Sequence, residues 1–334
     1  MTLRDNLSRR SFCAAALAAS LPAQSVLAEP AGVRFAMIAD VHHNRMPGAR
    51  QRLEAFLAEA KRHSPDFLIQ LGDFCDGYTR SPDAEQKAFL KTWHQFPGAK
   101  YNVLGNHEMD RCTKPEAMEF LEMPKRYYSF DQRGIHFIVL DCMNLMEEGK
   151  IVSYDNGSYF KHSAGEINLV DPEQLEWLTG DLKKAKGPVV VFTHPCINSF
   201  WVAGAEATRA NVLDILSEAN RQSGWQKVVA CFSGHHHVDH HSERDGVNYL
   251  LVNSASYYWV GKEYGSLAKY RDPLFAFVSI DPAGSLTMEG KASSFEPPTP
   301  ADIHFPNAGR LTASIESRTI RFRSALNAGR PSGG

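Results

Sequence analysis

Short, continuous apolar runs alternate with amphipathic helical segments along most of this 334-residue chain. Runs that are apolar at nearly every position are typical of strands buried on both faces, which is the arrangement of an α/β fold. The pattern therefore predicts an α/β core. Its strands are expected at residues 33–39, 67–71, 101–104, 189–192 and 228–232, and its helices at about 49–62, 84–94, 172–186 and 207–221.

The pattern changes at "YYSFDQRGIHFIVL", residues 127–140, where a glycine-containing turn joins two apolar segments. This is typical of an antiparallel hairpin and indicates that a second sheet begins here. Residues 142–170 are polar and rich in Gly, Ser and Asn. A segment of this length and composition is expected to have a functional role, rather than simply to connect two strands. Strands near 249–252, 274–280 and 286–289 are expected to complete the second sheet.

Potential metal ligands follow each main apolar run, in the segments "FAMIADVHH", "FLIQLGDFCD", "YNVLGNHE", "VVVFTHP" and "VVACFSGHHH". Sites in α/β sheets form at the carboxyl ends of strands, so these clusters can converge although they lie far apart in sequence. Carboxylates, amide oxygens and imidazoles without thiolates suit Mn²⁺, Fe or Zn²⁺ better than soft metals. The sequence therefore predicts a metal site at these strand ends.

The five segments carry, in order, the motifs D-x-H, G-D-x-x-D, G-N-H-[DE], a lone His and G-H-x-H. This set resembles the calcineurin-like metallophosphoesterase superfamily. "LGDFCDGY", "FIVLD" and "EQLEWL" are also similar to the manganese-dependent ADP-ribose/CDP-alcohol diphosphatases. The resemblance implies a two-sheet α/β/β/α sandwich over residues 29–293. The Pro-rich, sparsely apolar sequence of residues 294–334 predicts a C-terminal tail that is either a surface wrap or a partly disordered end.

The resemblance also implies two metal ions, either Mn, Fe or Zn. It assigns seven ligands to them: Asp40, His42 and His237 on one ion, Asn106, His194 and His235 on the other, and Asp73 as the bridge. His235 and His237 alternate along a segment expected to be extended, so both can face the site while His236 points away. His240 and His241 have no counterpart in the motif and are expected in a solvated loop.

The resemblance makes His107 the general acid that faces the leaving group, and makes Asp76 the carboxylate that keeps its imidazole charged and oriented. Two ions about 3.5 to 4 Å apart can share a hydroxide that is nucleophilic at neutral pH and can clamp the attacking and leaving oxygens. Glu108 is expected to serve the start of the next segment. The implied activity is hydrolysis of a small-molecule phosphoester by a phosphodiesterase or phosphatase.

At two positions the chain differs from other groups of the superfamily, which limits the branches that it can resemble. Gly77 stands where phosphoprotein phosphatases have Arg, and Asp76 stands where purple acid phosphatases have a metal-binding Tyr. The chain therefore looks like the bacterial phosphodiesterase and phosphatase branch. A non-catalytic binding module on the same fold remains the alternative, because a fold by itself does not establish activity.

Residues 1–28 combine Arg9-Arg10, an Ala-rich stretch and a small-residue pattern ending at Ala28. This resembles a twin-arginine signal, which predicts export by the twin-arginine machinery and a periplasmic or secreted protein; a frayed basic N-terminus is the alternative. Pro22 interrupts the stretch, so no stable membrane anchor is expected. The rest of the chain is slightly acidic, and no nucleic-acid partner is expected.

Three features are left open by the sequence. His43 is either a substrate contact or an exposed loop residue, and Cys75 and Cys112 are either disulfide-bonded or free. Aromatic residues also cluster near the motifs, and they either pack the protein or stack a nucleotide-like substrate. They are Phe200, Trp201, Tyr257, Tyr258, Trp259, Tyr264 and Tyr270, of which Trp201 and Tyr258 are the stacking candidates.

Overall fold

The computed structural model describes residues 32–77, 82–161, 167–198 and 210–327. The predicted signal segment, residues 1–28, lies outside these ranges, as do Phe200 and Trp201. In the described part of the chain, no helix is both long and apolar enough to cross a membrane.

Two six-stranded sheets form the centre of the structure. The first sheet has the order β16-β15-β14-β1-β2-β3, with β1 Val33–Ile38, β2 Phe67–Gln70, β3 Ala99–Asn102, β14 Ala276–Asp281, β15 Ser285–Gly290 and β16 Arg318–Arg321. The second has the order β10-β11-β9-β8-β5-β4, with β4 Tyr128–Gln132, β5 Ile135–Val139, β8 Val189–Thr193, β9 Val228–Ser233, β10 His240–Arg244 and β11 Val247–Leu251. The strands β1, β2 and β3 are parallel to one another, as are β5, β8, β9 and β11.

Helices and short hairpins surround these sheets. The helices are α1 Ala49–His63, α2 Ala84–Trp93, α3 Lys114–Phe120, α4 Pro172–Lys184 and α5 Ala210–Ser223. The hairpin strands are β6 Asn144–Glu147 with β7 Lys150–Ser153, and β12 Tyr258–Gly261 with β13 Ser266–Ala268. Single turns of 3₁₀ helix lie at His107–Met109, Ser158–Lys161, Lys262–Tyr264 and Ala308–Arg310.

The strand β1 shows why the predicted runs are apolar at every position. Phe35 and Met37 belong to the apolar cluster between the two sheets, whereas Ala36 and Ile38 belong to the cluster beneath the helices. Across the inter-sheet layer, the Phe35 ring meets those of Phe137 and Phe192 edge-on, each at a centroid distance of 5.7 Å. The expected two-sheet α/β/β/α sandwich is confirmed, since helical side chains cover the outer faces of both sheets.

The hairpin predicted at residues 127–140 is present as β4 and β5, at one edge of the second sheet. The expectation that all later strands complete that sheet is wrong. The strand β11 does lie there, but β14 pairs antiparallel with β1, and β15 extends the first sheet. Periodicity reports how a strand is buried, and it carries no information about which neighbour the strand pairs with.

The segment after residue 293 adds a strand and buried side chains to the fold, which its polar sequence did not indicate. The strand β16 pairs with β15, and Ile320 and Phe322 are buried in the cluster between the sheets. Arg318 reaches back to Asp239, with a Nη1–Oδ1 distance of 2.9 Å. This segment therefore ties the edge of the first sheet to the loop that follows β9.

Candidate metal centre

Five strand ends bring the seven predicted ligands together. Asp40 and His42 follow β1, Asp73 follows β2, Asn106 follows β3, His194 follows β8, and His235 and His237 follow β9. All are buried except His235, which is partly exposed. Among the described residues, three groups have ligand atoms that all lie within 4.8 Å of one another: Asp40–His42–His237, Asp73–His194–His235 and His42–Asp76–His107. The first two groups contain residues that the sequence assigns to two different ions, and the third shares His42 with the first.

Asp73 lies between the two groups. Its Oδ2 atom is 3.1 Å from His194 Nε2 and 3.8 Å from His42 Nε2. Burial alone would raise the pKa of Asp73, but the neighbouring His194 and His107 hold that pKa well below its usual value. The ionised carboxylate therefore lies between imidazoles of both groups, at the position that a bridge between two cations requires.

Imidazole nitrogens approach one another in both groups. His42 Nε2 is 3.1 Å from His237 Nε2, and His194 Nε2 is 3.1 Å from His235 Nδ1. In three of these rings, the Nδ1 atom on the other side is already held: His42 by Asp76 Oδ1 at 2.6 Å, His194 by the Leu71 carbonyl at 2.8 Å, and His237 by the Tyr257 carbonyl at 2.6 Å. A protonated Nδ1 leaves an Nε2 lone pair for a metal, so the donor set fits a pair of ions.

The backbone around these ligands is strained. Asp40, His42, Asp73, His235 and His237 all have positive φ, between 49° and 69°. Left-handed conformations of non-glycine residues cost free energy and persist only where the surroundings enforce them. The expectation of an extended segment around His235 and His237 is wrong, although both rings do face the site. Hydrogen bonds between the first two strand-end loops, such as His42 N to Asp73 O at 2.9 Å, support the strained geometry.

Glu108 has a role in the site that the sequence did not predict. Its side chain is fully buried and accepts hydrogen bonds from the backbone N–H groups of Asp73, Phe74, Cys75 and Gly105, at 2.6 to 3.3 Å. The expectation that it serves the next segment is therefore wrong, since it holds the loop that carries Asp73. Gly105 is required at this contact, because a Cβ there would lie 2.2 Å from Asp73 N.

We expect Glu108→Gln to destabilise the metal-free fold by about 2 to 4 kcal/mol. The amide has one acceptor oxygen instead of two, and its NH₂ group would face backbone donors. Thermal or urea unfolding in the presence of a chelator measures the change. Glu119→Gln, at an exposed position on α3, is the control and should unfold like the wild type. Equal stability of the two variants would contradict the scaffold role of Glu108.

His107 lies beside the ligand groups, and its carboxylate partner differs from the one expected. The His107 Nδ1 atom is 3.0 Å from Asp110 Oδ2 but 3.9 Å from Asp76 Oδ2. Burial would lower the pKa of His107, but Asp73, the hydrogen-bonded Asp110 and Asp76 outweigh it and raise the pKa to about 9. The structure therefore gives the orienting position to Asp110, while Asp76 holds His42.

Tyr159 is a second partner of His107 that the sequence did not indicate. Its hydroxyl is 3.0 Å from His107 Nδ1 and donates to Asp110 Oδ1 at 2.9 Å. It comes from the long polar segment after β5, which thereby brings a side chain to the candidate site. The sequence does contain a signal for Asp110, because it lies three positions after His107, a spacing that brings two side chains together in a helical turn. The contact with Tyr159 depends on the fold alone.

Trp259 is the aromatic residue that the structure places at the ligands. Its ring lies 4.8 Å from that of His42 and 4.9 Å from that of His237, between centroids. Tyr258, the stacking candidate, instead packs against Phe305. Tyr257 and Tyr270 are buried, in agreement with the packing interpretation. The other candidate, Trp201, lies outside the described residues.

The positions of the remaining candidate residues answer the questions that the sequence left open. His43 is buried and stacks on Phe89 at 4.1 Å, so neither an exposed position nor a substrate contact is supported. His240 and His241 begin β10 rather than lying in a loop, and His241 Nε2 contacts Asn248 Oδ1. Cys75 and Cys112 are both buried and form no disulfide, which excludes the bond between them.

Comparison with known proteins decides the family. The chain matches the family of calcineurin-like phosphoesterases over residues 33–239, a span that includes every predicted ligand and His107. The chain belongs to this family. The predicted similarity to one group of its members is also confirmed. The manganese-dependent ADP-ribose/CDP-alcohol diphosphatase of Oryza sativa subsp. japonica is 26% identical over 79% of this chain and 94% of its own length.

Two further proteins agree with this membership. The Arabidopsis thaliana protein of the same description is 25% identical over 57% of this chain and 70% of its own length. A dimetal phosphatase from Danio rerio shares the fold, with a TM-score of 0.62 and 16% identity over 87% of this chain and 99% of that structure. This calcineurin-like phosphoesterase is therefore a metal-dependent phosphoester hydrolase that uses two metal ions, which favours catalysis over the non-catalytic binding module.

Proposed function

We propose that this phosphoesterase hydrolyses the diphosphate linkage of small, nucleotide-like molecules, with Mn²⁺ as the metal. The observation that carries the proposal is the position of Asp73 between two ligand groups, beside His107. The named activity of the rice and Arabidopsis relatives supports a diphosphate substrate and manganese.

Water adds its oxygen to one phosphorus, the bond from that phosphorus to the bridging oxygen breaks, and two phosphomonoesters are released. The two ions, when bound, supply positive charge that makes water nucleophilic and stabilises the transferring phosphoryl group. Asp110 and Tyr159 hold Nδ1 of His107, which leaves its Nε2 proton for the departing oxygen. In the metal-free protein, the carboxylates of Asp73, Asp110 and Asp76 outweigh burial and raise the pKa of His107, which favours the protonated imidazole.

Aromatic surface beside His107 supports a substrate with a flat group. Phe160 is 62% exposed, and its ring centroid lies 5.8 Å from that of His107. The Trp259 ring lies 6.2 Å from His107. Because a base stacked on an aromatic ring gains about 1 to 3 kcal/mol, these rings are suited to hold a nucleobase near the reacting phosphate.

A comparison of three substrates tests the proposal. The protein is loaded with Mn²⁺, and kcat/KM is measured for a nucleoside diphosphate ester, a phosphodiester and a phosphomonoester. We expect the diphosphate to have the highest value, and Mn²⁺ to support faster turnover than Zn²⁺ or Fe²⁺. A phosphodiester or monoester that exceeds the diphosphate would contradict the proposed substrate class.

We expect Trp259→Ala to raise KM for the nucleoside diphosphate ester by about 10-fold through loss of stacking. The same change should affect an alkyl diphosphate without a base much less. Tyr258→Ala is the matched control, because this neighbouring ring packs against Phe305 instead. Metal content is measured in parallel, since Trp259 touches two ligand rings. Equal losses on both substrates would favour a packing role.

Export by the twin-arginine pathway is a further part of the proposal. It is supported by the Arg9-Arg10 pair and the cleavage pattern at Ala28. Replacing both arginines by lysine should keep the protein in the cytoplasm of a cell that has this pathway, whereas the wild type should be recovered outside it. Retention of the wild type in the cytoplasm would refute export.

A further inference from the structure

Arg45 is a half-exposed cation at the rim of the metal centre, with no part in the metal-ligand motifs. It lies in the loop after β1, where its backbone N–H donates to the His42 carbonyl at 3.1 Å. Its side chain is 48% exposed, and its guanidinium carbon lies 5.6 Å from the Trp259 ring centroid. The loop anchor and the aromatic neighbour hold the charge beside the site, although half of the side chain remains in solvent.

The guanidinium shares its carboxylate partners with His107. Arg45 Nη1 is 3.4 Å from Asp76 Oδ2 and 3.8 Å from Asp110 Oδ2. These distances exceed the 2.7 to 2.9 Å of strong charge-assisted hydrogen bonds. The hydrogen bond that Arg45 donates to Asp76 comes from Nη1, and the guanidinium carries further N–H donors on Nη2 and Nε that a ligand can use.

The position of Arg45 matches the second phosphate of a diphosphate substrate. His107 marks the leaving-group side of the reaction, and in a diphosphate the leaving group is itself a phosphate. That phosphate would approach the carboxylates of Asp76 and Asp110, which repel it. A guanidinium in contact with both carboxylates offsets the repulsion and offers a planar pair of donors to phosphate oxygens.

We propose that Arg45 binds the leaving phosphate and thereby gives this enzyme its selectivity for diphosphates over substrates with a single phosphate. This inference rests on the proposed function, because it requires a second phosphate in the substrate. It concerns ground-state binding and charge stabilisation by the side chain, and no covalent step involves Arg45.

The test compares Arg45→Met with wild type on an alkyl diphosphate and on an alkyl phosphodiester, both with Mn²⁺. We expect the ratio of kcat/KM for the diphosphate to that for the diester to fall about 10- to 100-fold. Arg45→Lys should recover part of the ratio, because it restores the charge without the planar donors. Arg50→Met is the matched control, since Arg50 is similarly exposed but pairs with Glu54 and Glu85 on the helices.

The outcomes separate this inference from the function on which it rests. If the wild type hydrolyses the diphosphate preferentially and Arg45→Met keeps the same ratio, Arg45 does not select the second phosphate. Equal losses on both substrates would show that Arg45 only supports Asp76, Asp110 and His107, and would also overturn the inference. A wild type with no preference for the diphosphate would refute the proposed function itself, and the role of Arg45 with it.

Discussion

His107→Asn is expected to lower turnover by about 10²- to 10⁴-fold, the usual contribution of a general acid, while two metal ions stay bound. The reason is geometric: Asp110 and Tyr159 hold one nitrogen of His107 and leave the other to protonate the leaving oxygen. Asparagine preserves polarity but cannot supply this proton. Steady-state kinetics and elemental analysis of the purified variant give the two measurements.

The size of the loss should depend on the leaving group. An aryl phosphodiester, whose leaving oxygen needs no proton, should lose least, whereas a diphosphate or alkyl ester should lose most. Asp110→Asn should lower turnover less, with the same order of losses among the substrates, because it removes only the group that orients His107. His94→Asn, a surface change at the end of α2, controls for the substitution. Loss of a metal ion in His107→Asn would show that His107 is a ligand.

Asp73→Asn is expected to have the largest effect on the metal centre. Asp73 Oδ2 faces both groups of imidazoles, and the neutral amide would leave two cations without the anion that separates them. We expect metal affinity to fall by more than the roughly 10- to 100-fold typical of lost outer-shell partners. Activity should fall at least as far as in His107→Asn, since the hydrolysis needs both ions.

Titration calorimetry and the shift of Tm on adding Mn²⁺ measure this effect independently of turnover. The wild type should gain stability with metal in proportion to its affinity, and the variant should gain much less. Asp214→Asn, at an exposed position on α5, should behave like the wild type. Full occupancy of both sites in Asp73→Asn would refute the bridging position.

The sequence carried the α/β class and the approximate positions of the core strands, because burial on both faces leaves a continuous apolar run. The sequence did not predict which sheet the later strands join. The strands β14 and β15 belong to the first sheet, and β16 adds an edge strand from the polar tail. The strand β14 is placed there by β1, which lies near the other end of the chain, and β15 and β16 then extend the sheet from β14. The apolar pattern of one segment does not encode the identity of such a neighbour.

The convergence of the seven predicted metal ligands was also within reach of the sequence, since each motif follows an apolar run that forms a strand. Their partners were not. Asp110 rather than Asp76 lies against His107, Glu108 holds the Asp73 loop, and Tyr159 arrives from an excursion whose path the sequence does not specify. Trp259 and Arg45 likewise acquire their significance only from contacts with His42 and with the carboxylates. Local sequence determines which chemical groups follow each strand. Contacts between groups on different loops depend instead on how the two sheets and their loops pack, and only the tertiary structure decided these contacts.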